Sequence, residues 1–482
     1  MTPMTTWVLG GPGAVLGRRQ FDVVDFISRS KPINSDRHPS SCCYDHNIVS
    51  LLIDRPFVGP LAGFLTGLPA DQLGCHLLAC FAAQFSPEPA QSLPFDVLIG
   101  SLPLMTNQIA PSLVTSAQVE PAAVKRSDFV LAPYVRSNDL WATWQIVNTL
   151  VPYGLLWVAV IYVARVSIWL TPPLLVLMVL FSGRCFSLMH DCGHQSLFRS
   201  KRMNRLVGFL LGVINAIPQY PWSRGHAFHH KHNGNWDLYR GPSALVSSET
   251  FLKMTPFQQG FYQFLRHPLM LFPGGFFYLV IKPRVALLLG LFHFAGHAMA
   301  CLKADIRSSL NSIWTSYKPK YWYTTLEFQD LVLNNICVVA SWIILSRLVG
   351  AGLFWSLYSV VMACSAALFI CIFFVQHNFE GSYAHRTEGW NSLTGAIDGT
   401  SLLRLPAILN WFTADIGYHN IHHLCSRIPN YHLRACHQRN ASLLTGATTL
   451  TVRQIPDCFA FILWDRSTDS LQSVEQVQAA QA

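Results

Sequence analysis

The chain has 482 residues, 51% hydrophobic and only 12% charged, with a mean hydropathy of +0.30. Soluble domains carry roughly twice that charged fraction, which excludes disorder as the overall state and argues against an ordinary cytosolic enzyme. The net charge of +9 is regional: residues 190–330 hold 15 Lys/Arg against 6 Asp/Glu, residues 1–146 hold 9 against 11, and residues 377–482 hold 7 against 8.

Residues 1–125 come first and hold 13 of the 28 prolines without sustained helical or strand periodicity. Such composition buries little core, so this segment is expected to be a poorly ordered extension or the product of a start codon set too far upstream. Beyond it, four apolar runs approach the roughly 18–20 residues that cross hydrocarbon. The first covers Val147 to Leu170, interrupted by Arg165, and ends at Thr171-Pro172-Pro173, where proline breaks a helix. The second continues to Met189 and carries Arg184 near its far end. Leu206–Ile217 has twelve residues before Pro218, too few to span, and suggests an interfacial or re-entrant helix. Leu269–Ile281 and Val285–Cys301 flank Lys282-Pro283-Arg284, and this break favours surface helices over a further pair of spans. The last two runs, Leu331–Val349 and Leu353–Gln376, are separated by Gly350-Ala351-Gly352.

The four runs read as two transmembrane hairpins. Their turns carry no charge at 171–173 and only Arg347 near 350, while the long basic segments lie on the other side. Positive residues mark the cytoplasmic face, which places 190–330 and the C-terminal region inside. The expected fold is therefore an all-α integral membrane protein with four spanning helices, interfacial helices and a cytosolic histidine-rich cap over two metals. Residues 126–445 form its domain and 446–482 a C-terminal tail. The 13 cysteines show no metal-type pairing, and reduced thiols are expected on a cytosolic side.

Eight of the 19 histidines fall in three clusters. His190 and His194 follow the second run, His226, His229 and His230 lie in the basic segment, and His419, His422 and His423 follow the fourth run. Residues three or four apart share a helix face, so each cluster aims its imidazoles one way. Eight imidazoles exceed what one tetrahedral metal takes, and two metals account for the number. Imidazole suits zinc, copper, iron or nickel, so ligand type leaves the metal open. His293 and His297 share the same spacing, but no third histidine joins them, and they read as structural or interfacial. His232, His432 and His437 lie beside the clusters but off their faces; His38, His46 and His76 carry no argument. Asp191 and Asp415 are placed in sequence to accept a hydrogen bond from a ligand's second ring N–H, Asp415 one helical turn before His419. A surface or capping role serves each of them equally well.

His190-Asp-Cys-Gly-His194, His226-x-x-His229-His230 and His419-x-x-His422-His423 resemble the three histidine boxes of the membrane fatty acid desaturases. Gly234–Gly241, Ile281–Arg284, Val375–Glu380 and Trp390 onward to Arg427–Tyr431 resemble segments of the acyl-lipid omega-6 (delta-12) type. The resemblance covers residues 128–445. It implies two non-haem irons on the eight box histidines, with O2 as co-substrate, two external electrons, and removal of two hydrogens from adjacent methylenes. It also implies a ninth ligand near the end of the fourth run; His377 takes that place, with His385 as competitor. The electron donor is then a ferredoxin or a small haem cytochrome, since Phe272-Pro-Gly-Gly275 lacks the histidine of a fused haem motif. Both donors are typically acidic, which gives the basic segment a docking role beside its topological one.

Two other classes stand beside the desaturase. A hydroxylase or carotenoid ketolase shares the ligands and differs in inserting oxygen; the residues flanking the boxes favour the desaturase. A metal transporter places polar ligands near the bilayer midplane on broken helices, whereas these clusters lie beyond the membrane runs.

Overall fold

In a computed structural model of the chain, the structure describes residues 124–241 and 244–481. The expected extension lies outside the described residues except for its last two.

Helix α1 (Asp139–Val166) starts on the Asn138 side chain, which accepts from the Leu140 and Trp141 N–H groups. A short 3-10 turn leads to α2 (Pro172–Gly193), and the Pro172-Pro173 pair that ends the first run opens the second helix. There the missing N–H groups would have had no intrahelical partner. Helix α3 (Lys201–Ile214) is amphipathic, with Val207 and Leu211 buried and Leu206 and Leu210 about half exposed. Helix α4 (Gln219–His232) carries the second histidine cluster.

Pro268–Ala304 departs from expectation. It is one 37-residue helical stretch, apolar enough to cross a membrane, in which a π turn at Phe277–Ile281 leads into α5 (Lys282–Ala304). Lys282-Pro283-Arg284 is therefore no break. Pro283 withholds an N–H, and the Arg284 guanidinium donates to the Leu279 carbonyl at 2.9 Å and to the Ala216 carbonyl at 2.6 Å. Helices α6 (Thr325–Val349) and α7 (Ala351–Val375) form the expected hairpin, with Gly350 at φ 97° in the turn. Among the described residues, five helical stretches are thus long and apolar enough to span, against the four expected.

The five are not equivalent. About half of α2 and of α7 is buried, whereas α1, α5 and α6 present exposed apolar side chains such as Leu155, Phe292 and Ile343. Phe186 of α2 stacks on Phe369 of α7 with ring centroids 3.9 Å apart, at the centre of the largest core cluster. His190 lies in the last turn of α2, and His377 two residues beyond the end of α7.

The all-α expectation needs correction beyond α7. After α8 (Ala407–Phe412), α9 (His419–Leu424) and α10 (Asn430–Arg439), the chain contributes to two small sheets. Strand β1 (Val246–Ser247) runs parallel to β4 (Phe461–Asp465), which pairs antiparallel with β5 (Ser470–Ser473); β2 (Leu402–Arg404) runs parallel to β3 (Thr449–Thr451). Residues 446–481, expected as a tail, are folded onto the domain. Trp464, 2% exposed, stacks on Trp236 at 4.6 Å and donates its indole N–H to the Ala384 carbonyl. The segment so ties the loop after the second histidine cluster to the loop after α7.

Candidate metal centre

Nine imidazoles meet beyond the ends of α2 and α7, in two groups. His190, His194, His226, His230 and His422 form the first, and His229, His377, His419 and His423 the second; one ring nitrogen from each lies within 4.8 Å of the others in its group. The partition follows helix geometry. In α4, His226 and His230 are four residues apart on one face and enter the first group, while His229 turns to the second. In α9 the same H-x-x-H-H pattern is used in reverse: His419 and His423 enter the second group and His422 the first.

Within each group the ring nitrogens lie in direct contact. His226 Nε2 lies 2.8 Å from His190 Nε2 and 3.0 Å from His230 Nε2, which in turn is 3.0 Å from His422 Nε2. His377 Nε2 lies 3.1 Å from His229 Nε2 and 3.0 Å from His419 Nε2. His190 and His377 turn their Nδ1 atoms outward, to the Asp191 carboxylate at 3.3 Å and the Gly399 carbonyl at 3.2 Å. An Nδ1–H donated there leaves the Nε2 lone pair facing the group. Buried His194 Nε2 and both nitrogens of His423 have no protein partner. Each such orphan costs about 1–3 kcal/mol unless something binds it. Burial, then neighbouring imidazoles, holds His194, His226, His229, His230, His419, His422 and His423 well below the ordinary histidine range. Burial also pushes His377 down to about 4. Converging neutral imidazoles with inward lone pairs and orphaned nitrogens are the donor set of a divalent transition metal, so the residues fit two such ions.

The surroundings separate the expected residues. Asp191 is buried against His190, and its other oxygen accepts from the Asn430 backbone N–H (2.8 Å) and side chain (2.9 Å). Asp415 does not serve His419: helix α9 begins at His419, Asp415 sits before it at φ 53°, and its carboxylate pairs with Arg434 at 3.0 Å. His385 lies apart from both groups and contacts Asp469, so His377 alone of that pair joins the centre. His293 and His297 contact Tyr317 and Ser316 on the far part of α5.

Several supporting residues carried no signal of their own in the sequence. Glu327 accepts from Arg224 at 2.7 Å and Asp330 accepts from the Tyr220 N–H at 2.9 Å, so two carboxylates of α6 hold helix α4. Asn430, itself bound by Gln145, holds Asp191, and Tyr431 donates to the Leu197 carbonyl beyond the first cluster. A cavity of about 310 Å³ opens beside the centre; His226, His229 and His377 line one part of it and Phe186, Phe369 and Phe373 another.

Helices of membrane-spanning length around two polyhistidine groups and an apolar cavity define a membrane-bound metalloenzyme of the histidine-box class. The sequence profile described as fatty acid desaturase matches residues 167–452, and the chain belongs to that family. A Bacillus subtilis protein named fatty acid desaturase is 29% identical over 335 residues, which is 69% of this chain and 86% of that protein. An omega-3 fatty acid desaturase of soybean chloroplasts is 27% identical over 52% of this chain and 49% of its own. An sn-1 acyl-lipid omega-3 desaturase (ferredoxin) of Nostoc is 28% identical over 52% of this chain and 61% of its own. The protein is a fatty acid desaturase, an oxidoreductase of the membrane.

Proposed function

We propose that the protein introduces a cis double bond into the acyl chain of a membrane lipid, with two irons as the metals and O2 as co-substrate. The observation that carries this reading is an apolar cavity opening directly on both histidine groups. The nine ligands are His190, His194, His226, His230 and His422 for one ion, and His229, His377, His419 and His423 for the other. Bound iron supplies O2 reduction and hydrogen abstraction. The protein's own residues orient the rings through Asp191 and Gly399, keep them neutral by burial, and offer a wall of phenyl groups against which a methylene chain packs without water.

An omega-6 (delta-12) outcome rests on the resemblance of the segments flanking the boxes; the soybean and Nostoc relatives are named omega-3 enzymes. The Nostoc relative's name includes ferredoxin, which supports a ferredoxin-type donor here, with a small haem cytochrome as the competing partner. We place the boxes on the cytoplasmic side, because the basic segment 190–330 carries the first two. We read α1–α2 and α6–α7 as the spanning hairpins. Residues 1–125 we read as dispensable.

Expression in a host lacking polyunsaturated lipids, followed by fatty acid profiling, tests the reaction. A new double bond located by mass spectrometry is the expected result, and its position separates omega-6 from omega-3. Recovery of hydroxy acids alone would overturn the reading in favour of a hydroxylase. A chain starting at Met105 should keep its activity.

A further inference from the structure

Phe373 belongs to the cavity and to the metal centre at once. It is the third residue from the C-terminal end of α7, four residues before His377, which lies in the turn just past the helix. Its ring centroid is 5.7 Å from that of His190 and 5.8 Å from that of His226, both in the first group. It is also 5.7 Å from His419 of the second group. Among the described residues it is the one non-histidine ring in contact with both groups: Trp222 touches only His190 and His226, and Tyr239 only His229. On its other side it packs edge-to-face against Phe186 at 5.9 Å, and it lines the cavity. Its neighbours Ile372 and Phe374 are buried, whereas Phe373 is only partly so.

We propose that Phe373 is the specificity-determining residue that sets which carbon of the acyl chain meets the centre. A saturated chain offers a run of chemically equal methylenes, and no hydrogen bond tells one from the next. Selection among them is then a matter of position: the reacting carbon must come within about 3–3.5 Å of its partner, and one methylene of slippage brings a different carbon there. A rigid phenyl group in the cavity wall, beside the chain where the cavity meets both imidazole groups, fixes that register by volume. Its two side-chain torsions are held on one side by histidines and on the other by Phe186.

The proposal rests on the acyl-lipid reading above, and its test separates the two. Phe373→Leu and Phe373→Ala would be expressed beside the wild type, with double-bond positions and metal per chain measured. The expected result is wild-type metal content with at least a tenfold rise in a second positional isomer, larger for Ala than for Leu. Photo-cross-linking gives a readout independent of turnover. Phospholipids bearing a diazirine at successive acyl carbons are offered to the chelator-treated protein, and the carbon that labels the Phe186 and His226 peptides most strongly should shift in Phe373→Ala. An unchanged isomer ratio in both variants, or an unchanged labelling profile, overturns the proposal. So does loss of metal in both variants, because the ring would then be holding histidines rather than substrate. Failure of the wild type to form any double bond would count against the acyl-lipid reading instead.

Discussion

His229 and His230 are neighbours in the chain but belong to different groups: His229 Nε2 lies 3.1 Å from His377 Nε2, whereas His230 Nε2 lies 3.0 Å from those of both His226 and His422. The H-x-x-H-H spacing thus does more than collect ligands. It splits each of the last two boxes between the two groups, so neither group is complete without both helices.

This relationship predicts that His229→Ala and His230→Ala each lower bound metal from two ions per chain toward one, leaving different sites occupied. Product formation should fall by more than the roughly 10–100-fold that loss of an outer partner costs. Elemental analysis of purified protein, with spectroscopy of the remaining ion, checks both points. Identical spectra in the two variants would contradict the partition.

Asp191 and Asp415 should behave differently despite similar places beside their boxes. Asp191→Asn removes the carboxylate facing His190 and disturbs Asn430, and should lower metal affinity or turnover by about 10–100-fold. Asp415→Asn breaks a half-exposed pair with Arg434 and should change either quantity only a few-fold. Metal titration and product assay on both variants check this.

Burial sets a pH dependence on the metal-stripped protein. A histidine kept neutral in the fold binds fewer protons there than in the unfolded chain once pH drops below the ordinary value near 6.5. The stability it contributes is present above that value and is lost as pH falls through the folded value, about 4 for His377. Chelator-treated protein should therefore melt at progressively lower temperature between pH 7 and pH 4, and iron should shift the onset of this loss to lower pH. Melting curves across that range, with and without iron, read the effect. A flat profile without metal would contradict it.

The folded C-terminal segment gives a further test. Trp464→Ala removes a buried indole from between Trp236 and Ala384 and should cost about 3–5 kcal/mol. A chain ending at residue 445 should fail to retain metal, because the loops after α4 and α7 lose their shared partner. Thermal melts of the point variant and metal analysis of the truncated chain check this. Normal metal content in the truncated chain would return residues 446–481 to the status of a tail.

The sequence by itself determined the apolar helices, the hairpin at Gly350 and the eight box histidines, because these are written in local terms: hydrophobic length, turn residues and three-or-four spacing on one helix face. The choice of His377 over His385 came from the resemblance to the desaturases rather than from local spacing. Other decisions belonged to tertiary structure alone. Lys282-Pro283-Arg284 reads as a break until Arg284 reaches the Leu279 carbonyl. Asp415 reads as a partner of His419 until the chain turns and Arg434 takes it. The segment 446–481 shows no periodicity, since its strands are short and gain their stability from Trp236 and Val246, some two hundred residues away. The division of nine histidines into two groups has the same origin. Spacing fixes which rings share a face, but which group each ring joins depends on how α2, α4, α7 and α9 converge, and that is set by packing between helices distant in sequence.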